Sequence, residues 1–263
     1  MKLTPIKTNP YDYPAELQPI LVNAKLYDSS CSPEAKVIYI DKDDGYFLKS
    51  APKGTLEREV SMTRYFHSKG ISANVIAYVS SDSDNSDWLL TEKIHGDDCT
   101  ADKYCENPKR LCDTLAERLA LLHSLDYSNC PVSNHTELYI SKVNYDNYDK
   151  NLFPETVWFS STGSKSEAQA IVETSGHLLQ TDTLLHGDYC LPNIILDDWQ
   201  FSGFIDLDCS GVGDRHVDVY WGVWTLFYNL KTDKYRERFI HAYGRDKVDE
   251  EMLRIVAAFE VFG

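Results

Sequence analysis

The 263-residue chain lacks the long apolar stretches of a membrane protein. No uninterrupted apolar run approaches the roughly 20 residues that a membrane-spanning helix needs. Met1–Pro14 also lacks the apolar centre of a secretory signal peptide. We therefore expect a cytoplasmic protein that does not contact a membrane.

Paired cysteines are absent as well. The seven cysteines are odd in number and scattered, and no two of them form a CxxC pair. This pattern predicts reduced thiols and argues against a disulfide framework or a zinc knuckle.

Positive charge is scarce, with 26 Lys and Arg against 41 Asp and Glu and a formal net charge of −15. A chain without a basic excess is a poor candidate for binding a nucleic-acid backbone, so we expect no nucleic-acid partner. The acidic balance is compatible with attracting a polycationic small molecule. Taken alone, the acidic balance is better explained by solubility.

Three common catalytic or nucleotide-binding motifs are missing. The segment Ser161–Ser166, STGSKS, does not satisfy the P-loop pattern GxxxxGK[ST]. The segment SGVGDRH, Ser210–His216, has two glycines of a dinucleotide-binding fingerprint but not the third. No GxSxG nucleophile elbow appears anywhere.

What is present is ample core material, with 43% hydrophobic and 12% aromatic residues. The first third of the chain predicts a β-hairpin from Lys36–Ile40 and Tyr46–Lys49 around an Asp/Gly turn. A helix that ends near Gly70 is predicted next, from apolar residues near helical spacing. NVIAYVS and DWLLTEKI then predict two further strands, separated by the polar turn Ser80–Asp87.

The character of the sequence changes near Glu92–Gly96. Leucines at helical spacing follow, and they predict one long amphipathic helix: Leu111, Leu115, Leu119 and Leu122. Trp221, Trp224 and Phe227 share similar spacing, which indicates a helix core. We therefore divide the chain into a β-rich lobe, residues 1–93, and an α-rich lobe, residues 94–263, and expect ligands to bind in a cleft between two such lobes.

The segment Thr183–Asp208 carries the most informative polar residues. Asp188, Asn193 and Asp206 flank two short apolar runs that predict a hairpin, so they are expected at one end of the same ribbon. Two carboxylates and an amide oxygen suit Mg²⁺ held against phosphate groups. One carboxylate can stay off the metal and accept a proton from an attacking hydroxyl.

These residues resemble a known signature. His186-Gly187-Asp188, Asn193 five residues later and Ile205-Asp206 are similar to the motif of the aminoglycoside phosphotransferase family, closest to its 3′-phosphotransferase branch. YFLKS supplies a strand lysine, Lys49, and LEREVSMTRYF supplies a helix carboxylate, Glu59. The resemblance implies an α+β, two-lobed, protein-kinase-like fold with a β-rich N-terminal lobe and a mainly helical C-terminal lobe.

The resemblance also implies a role for each matching residue. Asp188 is the expected catalytic base and acceptor contact, and Asn193 and Asp206 are the expected Mg²⁺ ligands. The residues expected to contact the nucleotide are Lys49, Glu59, Phe47, Ser32, Glu92 and Ile94. The residues expected to contact the acceptor, besides Asp188, are Glu260, Phe262 and Glu155.

The function implied is an ATP- or GTP-dependent and Mg²⁺-dependent transfer of phosphate to a hydroxyl, the 3′-hydroxyl, of aminoglycoside antibiotics, which confers resistance. The expected partners are an aminoglycoside and a nucleoside triphosphate, and the protein is expected as a monomer or a homodimer. Two alternatives stay open: a kinase of another hydroxylated small molecule, and a nucleotide-binding protein in which Asp208 and Cys209 impair transfer. A transition-metal site at His186, Cys190 and Cys209 has no regular ligand spacing in its favour.

Overall fold

The structure is a computed structural model that describes residues 3–30, 35–149 and 164–263. Its strands there are β1 (Thr4–Ile6), β2 (Lys25–Asp28), β3 (Lys36–Asp41), β4 (Tyr46–Pro52), β5 (Val75–Ser81), β6 (Ser86–Glu92), β7 (Asp97–Asp98), β8 (Thr183–Leu185), β9 (Ile194–Asp197), β10 (Gln200–Phe204) and β11 (Gly211–Gly213). Its α-helices there are α1 (Gln18–Leu21), α2 (Glu57–Ser68), α3 (Asp102–Cys105), α4 (Pro108–Leu122), α5 (His135–Ser141), α6 (Lys165–Ser175), α7 (His216–Leu230), α8 (Arg236–Gly244) and α9 (Glu250–Glu260).

The chain forms two compact units, each made of two stretches of sequence. The first unit contains Met1–Asp98 and Ile195–Asp208, and the second contains Cys99–Ile194 and Cys209–Gly263. These units differ from the linear division at residue 93 in the placement of 94–98 and 195–208. The loop after β10, which carries Asp206, thus belongs to the same unit as the N-terminal sheet.

The first unit is built on a six-stranded sheet in the order β1-β2-β3-β4-β6-β5, and its neighbouring strands are antiparallel. Side chains alternate between the two faces of a strand, so the sheet has two distinct apolar faces. One face packs against the segment Tyr13–Leu21 through a cluster of buried residues: Tyr13, Leu17, Leu21, Leu26, Ile38, Ile40, Leu48 and Leu90. The other face contributes Leu89, which packs with Leu56 and Val60 at the start of α2.

A second, small sheet joins the hairpin β9–β10 to β7 in the order β10-β9-β7. Gly96 directly precedes β7 and has φ +114°, a conformation that L side chains rarely adopt. A Cβ at Gly96 would lie 2.2 Å from the carbonyl oxygen of Leu196. Glycine is therefore required here for β9 to approach the chain after β6.

The second unit is mainly helical. The four leucines of α4 predicted to share a face are all buried: Leu111, Leu115, Leu119 and Leu122. Helix α4 packs against α8 and α7, and α7 packs against α9. The two-stranded sheet β8–β11 places Leu184 opposite Val212 and carries the chain into the loop that contains Asp188.

The structure confirms the main sequence-based elements. The predicted hairpin is β3–β4, the helix before Gly70 is α2, and the two following strands are β5 and β6, although β6 ends at Glu92. The expectation that Trp221, Trp224 and Phe227 form a helix core is wrong: they lie on α7, but all three are only half-buried, and the core side of the helix is formed by its other residues.

Two findings concern the described residues only. No helix there has both the length and the apolar character needed to cross a membrane. The cysteines of that part of the chain are free thiols: Cys99, Cys105, Cys112, Cys130, Cys190 and Cys209.

Candidate active site

In the first unit, the ammonium group of Lys49 lies between two carboxylates. Lys49 Nζ is 2.7 Å from Glu59 Oε2 and 2.9 Å from Asp206 Oδ1. The Lys49 side chain is 20% exposed and that of Glu59 is 7% exposed, whereas that of Asp206 is 50% exposed. The three predicted site residues are therefore assembled into one ion cluster with a buried and an open side.

The strand and helix positions explain how Lys49 meets Glu59. Lys49 is paired with Leu89 across β4 and β6, and Leu89 packs against α2. Directly opposite residues on neighbouring strands share a face, so Lys49 points to the same side of the sheet. Glu59 lies in the first turn of α2 and is buried. The helix thus presents its carboxylate to the strand lysine.

Asp206 reaches the cluster from the loop after β10. Its φ is +58°, a left-handed conformation that asparagine and aspartate adopt more readily than other non-glycine residues. Only Oδ1 bonds Lys49, and half of the side chain is open to solvent. The carboxylate can therefore bind Lys49 and still offer oxygen to a cation.

The charge of Lys49 is fixed by its partners. Burial alone lowers the pKa of Lys49, but the negative charges of Glu59 and Asp206 outweigh burial and raise this pKa above its ordinary value. The side chain therefore remains a cation across the physiological pH range. A lysine held in one place by two carboxylates suits the binding of phosphate oxygens.

In the second unit, Asp188 and Asn193 form a closed loop. Asn193 Nδ2 donates to Asp188 Oδ2 at 2.8 Å and to the carbonyl oxygen of Asp188 at 3.0 Å. Both hydrogen bonds use the amide nitrogen, so the amide oxygen of Asn193 is the atom that can serve a cation. The second carboxylate oxygen of Asp188 can accept a hydrogen bond from a hydroxyl.

Gly187 permits the turn that presents Asp188. Its φ is +84°, and a Cβ there would lie 1.8 Å from the carbonyl oxygen of Cys209. No side chain fits that space without moving the backbone. The glycine therefore fixes the distance between the Asp188 loop and the segment after β10.

Asp218 holds the same loop from the buried side of α7. Its Oδ2 accepts from the backbone N–H of His186 at 2.7 Å, and its Oδ1 accepts from the N–H of Gly187 at 2.8 Å. Burial alone raises the pKa of Asp218, but the hydrogen bonds from His123 and the backbone keep this pKa below its ordinary value. Asp218 is therefore an ionised anchor for the loop.

His123 and Tyr243 extend this anchor. His123 Nε2 lies 3.1 Å from Asp218 Oδ2, and His123 Nδ1 lies 2.8 Å from the hydroxyl of Tyr243. Burial lowers the pKa of His123, so its ring is neutral. Because an ionised carboxylate only accepts, Nε2 carries the proton and Nδ1 accepts from Tyr243. Sequence reasoning missed both residues; the signal was a histidine that ends the leucine-rich helix α4.

The oxygen atoms predicted to hold Mg²⁺ have suitable chemistry. Asn193 offers an amide oxygen and Asp206 a carboxylate, and hard oxygen ligands are those that Mg²⁺ prefers. Within the described residues, no group of three or more His, Cys, Asp or Glu side chains is arranged to hold a metal. His186, Cys190 and Cys209 thus form no transition-metal site of that kind.

Phe47 lies in a row of aromatic side chains across three strands of the first unit. Tyr27 and Tyr39 have ring centroids 6.0 Å apart, and Tyr39 and Phe47 have centroids 5.3 Å apart. All three rings are half-buried. Such a row offers an aromatic surface on the strand that also carries Lys49.

Glu92 and Ile94, whose backbone is predicted to pair with the edge of the adenine ring, lie at the end of β6 and two residues after it. The backbone N–H of Glu92 donates to the carbonyl oxygen of Asn74 at 3.0 Å. Ile94 is half-buried, and its side chain packs close to Gly203 of β10. Their contact with a nucleotide stays a prediction.

The family can now be stated from comparison with known proteins. The family model described as "Phosphotransferase enzyme family" matches residues 32–255. The chain belongs to this phosphotransferase enzyme family. A Lactococcus lactis subsp. lactis protein, named a probable aminoglycoside 3′-phosphotransferase, is 50% identical over 261 residues and 99% of both chains.

Solved structures give the fold of this phosphotransferase. A type VIII aminoglycoside 3′-phosphotransferase matches with a TM-score of 0.69 and 21% identity, over 96% of both chains. A Streptomyces rimosus aminoglycoside phosphotransferase in complex with ADP and streptomycin matches with a TM-score of 0.62 and 20% identity, over 86% of this chain and 90% of that one. The α+β, protein-kinase-like fold class is confirmed.

Glu260 of the phosphotransferase is a buried carboxylate at the end of α9. Its Oε1 accepts from the Tyr139 hydroxyl at 2.8 Å and from Trp221 Nε1 at 3.1 Å. Burial raises the pKa of Glu260 to about 7, although both hydrogen bonds oppose this rise and the charge of Asp188 adds to it. The negative charge of Asp188 therefore acts on the Glu260 carboxyl group within the second unit.

Phe262 follows Glu260 but points into the protein. Its ring is buried and contacts Tyr145 and Tyr148, with centroids 5.1 and 5.9 Å away. Its carbonyl oxygen accepts from the N–H of Asn144. The described contacts of Phe262 are thus packing contacts, and its predicted role toward the acceptor stays a prediction. Ser32 and Glu155 lie outside the described residues.

Proposed function

We propose that this phosphotransferase moves the γ-phosphoryl group of ATP or GTP, with Mg²⁺, to the 3′-hydroxyl of aminoglycoside antibiotics and so confers resistance to them. One observation carries the choice of acceptor: the 50% identity over 99% of both chains to the Lactococcus lactis relative named for that activity. Another protein with the same fold, from Streptomyces rimosus, was solved with ADP and streptomycin, which supports a nucleotide donor.

The nucleotide side of the reaction is assigned to the first unit. Lys49, held by Glu59 and Asp206, binds the α- and β-phosphate oxygens. Phe47 lies against the adenine ring, and the backbone of Glu92 and Ile94 pairs with the edge of that ring. Lys49 supplies positive charge where the leaving ADP gathers negative charge.

Mg²⁺, when bound by Asn193 and Asp206, supplies charge neutralisation at the phosphates. Asn193 is prepared for this role because its amide nitrogen is already bonded to Asp188, which turns the amide oxygen away from that carboxylate.

Asp188 acts on the acceptor. One oxygen of its carboxylate accepts the proton of the hydroxyl as the hydroxyl oxygen forms its bond to the γ-phosphorus atom. The bond from that phosphorus atom to the bridging oxygen breaks, and ADP leaves with the electron pair. Glu260 is assigned to an ammonium group of the acceptor because it is a carboxylate that senses Asp188.

Expression in an aminoglycoside-sensitive bacterium tests the proposal. We expect a rise in tolerance to kanamycin and neomycin with the wild-type chain and none with Asp188→Asn at equal soluble yield. An unchanged tolerance with abundant soluble wild-type protein would contradict the proposed acceptor. Turnover of other hydroxylated compounds in a coupled nucleotide assay would then identify the alternative acceptor.

A further inference from the structure

Asp87 is a buried carboxylate inside the N-terminal sheet. It lies on β6, where it is paired with Ala51 of β4 on one side and with Ser80 of β5 on the other. The residue has no exposed surface. Because a carboxylate is costly to bury without partners, its surroundings must supply hydrogen bonds.

The side chain of Asp87 lies on the face of the sheet that carries α2. Side chains two residues apart on a strand share a face, and Leu89 of β6 packs against Leu56 and Val60 at the start of α2. Lys49 lies directly opposite Leu89 on β4 and so belongs to this face as well. Asp87, the start of α2 and the site lysine are therefore on one side of the sheet.

One oxygen of Asp87 accepts two backbone N–H groups where the chain enters α2. Asp87 Oδ2 lies 2.8 Å from the nitrogen of Gly54 and 3.1 Å from the nitrogen of Leu56. Leu56 occupies the position just before the helix, where its apolar side chain cannot cap the first turn. Asp87 thus supplies, from a neighbouring strand, an oxygen acceptor that the residue before α2 lacks.

The carboxyl group of Asp87 is ionised. Burial raises the pKa of Asp87, but the hydrogen bonds from Ser80 and from the backbone of Leu56 and Gly54 outweigh burial and keep this pKa below its ordinary value. A negative charge at the start of a helix is also favoured by the helix dipole. The contact is therefore a charge-assisted anchor, which is stronger than a neutral hydrogen bond.

The anchored turn is the one that carries Glu59. Glu59 follows Leu56 by three residues in the first turn of α2, and its Oε2 lies 2.7 Å from Lys49 Nζ. Helix ends fray when their first N–H groups lose their acceptors. Fraying of this turn would move the Glu59 carboxylate away from Lys49, so the anchor acts on the ion cluster through the helix.

We propose that Asp87 is a positioning residue for nucleotide binding: it anchors the start of α2, holds Glu59 against Lys49 and thereby sets the affinity for ATP with Mg²⁺. This inference rests on the proposed function, because it takes Lys49 as the group that binds the phosphates. Asp87 acts through α2 and takes no part in the transfer of the phosphoryl group.

The test compares Asp87→Ala and Asp87→Asn with Leu21→Ala. Leu21 is buried in the cluster on the opposite face of the sheet, so its removal destabilises the same unit without touching α2. Titration calorimetry with ATP and Mg²⁺, in the absence of an acceptor, gives the Kd of each variant, and thermal unfolding gives its Tm.

We expect Asp87→Ala to raise the Kd for ATP about tenfold, the equivalent of 1.4 kcal/mol. Asp87→Asn should raise it about threefold, because the amide keeps an oxygen acceptor but loses the charge that makes the bonds about twice as strong. Leu21→Ala should lower the Tm and leave the Kd within about twofold of the wild type. An equal rise of the Kd in Leu21→Ala would refute the inference, because general destabilisation would then explain it.

A double-mutant cycle tests whether Asp87 acts through Glu59. In a chain that already carries Glu59→Gln, adding Asp87→Ala should raise the Kd less than about twofold further, because the carboxylate that Asp87 positions is gone. A full tenfold rise in that background would overturn the proposed route. If Asp87→Ala does not fold, Asp87→Asn decides, and a wild-type Kd for ATP in that variant would refute the inference.

These measurements are independent of the acceptor. If the wild type binds ATP with Mg²⁺ but phosphorylates no aminoglycoside, the proposed function falls, and the expected pattern of Kd values still supports the role of Asp87. If the wild type phosphorylates kanamycin and both Asp87 variants bind ATP as it does, the function stands and the inference falls. If the wild type binds neither ATP nor GTP, both fall.

Discussion

The two units hold their functional groups in opposite ways. In the first unit, Lys49 bonds directly to both Glu59 and Asp206, so the two carboxylates fix the ammonium group that acts on a nucleotide. In the second unit, the side chain of Asp188 bonds Asn193 and Cys190, and its loop is held from behind by Asp218. In the first unit, the charged groups are bonded to one another through Lys49. In the second unit, the reactive carboxylate of Asp188 is a different group from the Asp218 carboxylate that supports its loop.

This difference predicts that substitutions in the two units change different kinetic constants. A change in the ion cluster disturbs the affinity for the nucleotide, because the partners of Lys49 determine its position. A change at Asp188 leaves the support intact and removes only the acceptor of the proton. A change at Asp218 or His123 is expected to lower turnover, because these residues hold the loop that carries Asp188.

The largest effect is expected for Asp188→Asn. The amide cannot accept the hydroxyl proton as a carboxylate does, so kcat should fall about 10³-fold while the nucleotide KM stays within about twofold. The control is Asp182→Asn, an exposed position in the same segment. A kcat for Asp188→Asn near that of the control would remove Asp188 from the role of base.

The next largest effect is a pH-dependent change in the free energy of unfolding, which we expect from Glu260. Its pKa in the folded protein is about 7, above the ordinary value of 4.5, so the folded state binds this proton more tightly than the unfolded state. Stability from this group is therefore present below about pH 4.5 and is lost as the pH rises to about 7. We expect Glu260→Gln to be more stable than the wild type at pH 8 by about 3 kcal/mol, and the difference to shrink at pH 5.

Urea unfolding of both proteins at several pH values checks this prediction. Glu251→Gln, an exposed position on the same helix, serves as the control. A pH-independent difference between Glu260→Gln and the wild type would mean that the two hydrogen bonds to Oε1 keep Glu260 ionised throughout.

A smaller effect is expected for His123→Phe. This variant leaves the Tyr243 hydroxyl without its acceptor and Asp218 without one of its donors, which should cost about 1–3 kcal/mol of unfolding free energy. It should also lower kcat without changing the nucleotide KM, because the loop of Asp188 loses part of its support. His123→Gln retains a donor and should recover part of kcat. If kcat is unaffected by His123→Phe, the network serves stability alone.

Glu59→Gln should have the smallest effect on turnover. Lys49 keeps Asp206 as a partner, so we expect the nucleotide KM to rise about tenfold, the equivalent of 1.4 kcal/mol, with the acceptor KM unchanged. Glu57→Gln, an exposed position in the first turn of the same helix, is the matched control. An equal change in both variants would indicate a general effect of helix charge.

Sequence reasoning performed well where neighbouring residues decide the structure. The β-rich runs Lys36–Ile40 and Tyr46–Lys49 around an Asp/Gly turn predicted the hairpin β3–β4, and the family resemblance implied the pair of Lys49 and Glu59. Both depend on contacts between consecutive elements, which local sequence encodes directly.

Contacts that join distant helices were not predictable in this way. His123 directly follows α4, Asp218 lies on α7 and Tyr243 lies on α8, and nothing in the spacing of the sequence relates them. The burial of the α7 aromatic residues was also not predictable, because helical periodicity shows which residues share a face but does not show how deeply that face is covered. Trp224 and Leu226 both fit a core pattern, and only one of them is buried.

The most direct test of the whole account is incubation of the purified chain with kanamycin, ATP and Mg²⁺, followed by mass spectrometry and NMR of the products. We expect ADP and one monophosphorylated kanamycin that carries the phosphate on its 3′-hydroxyl. Tight binding of Mg²⁺ and ATP with no phosphate on any aminoglycoside of a broad panel would contradict it.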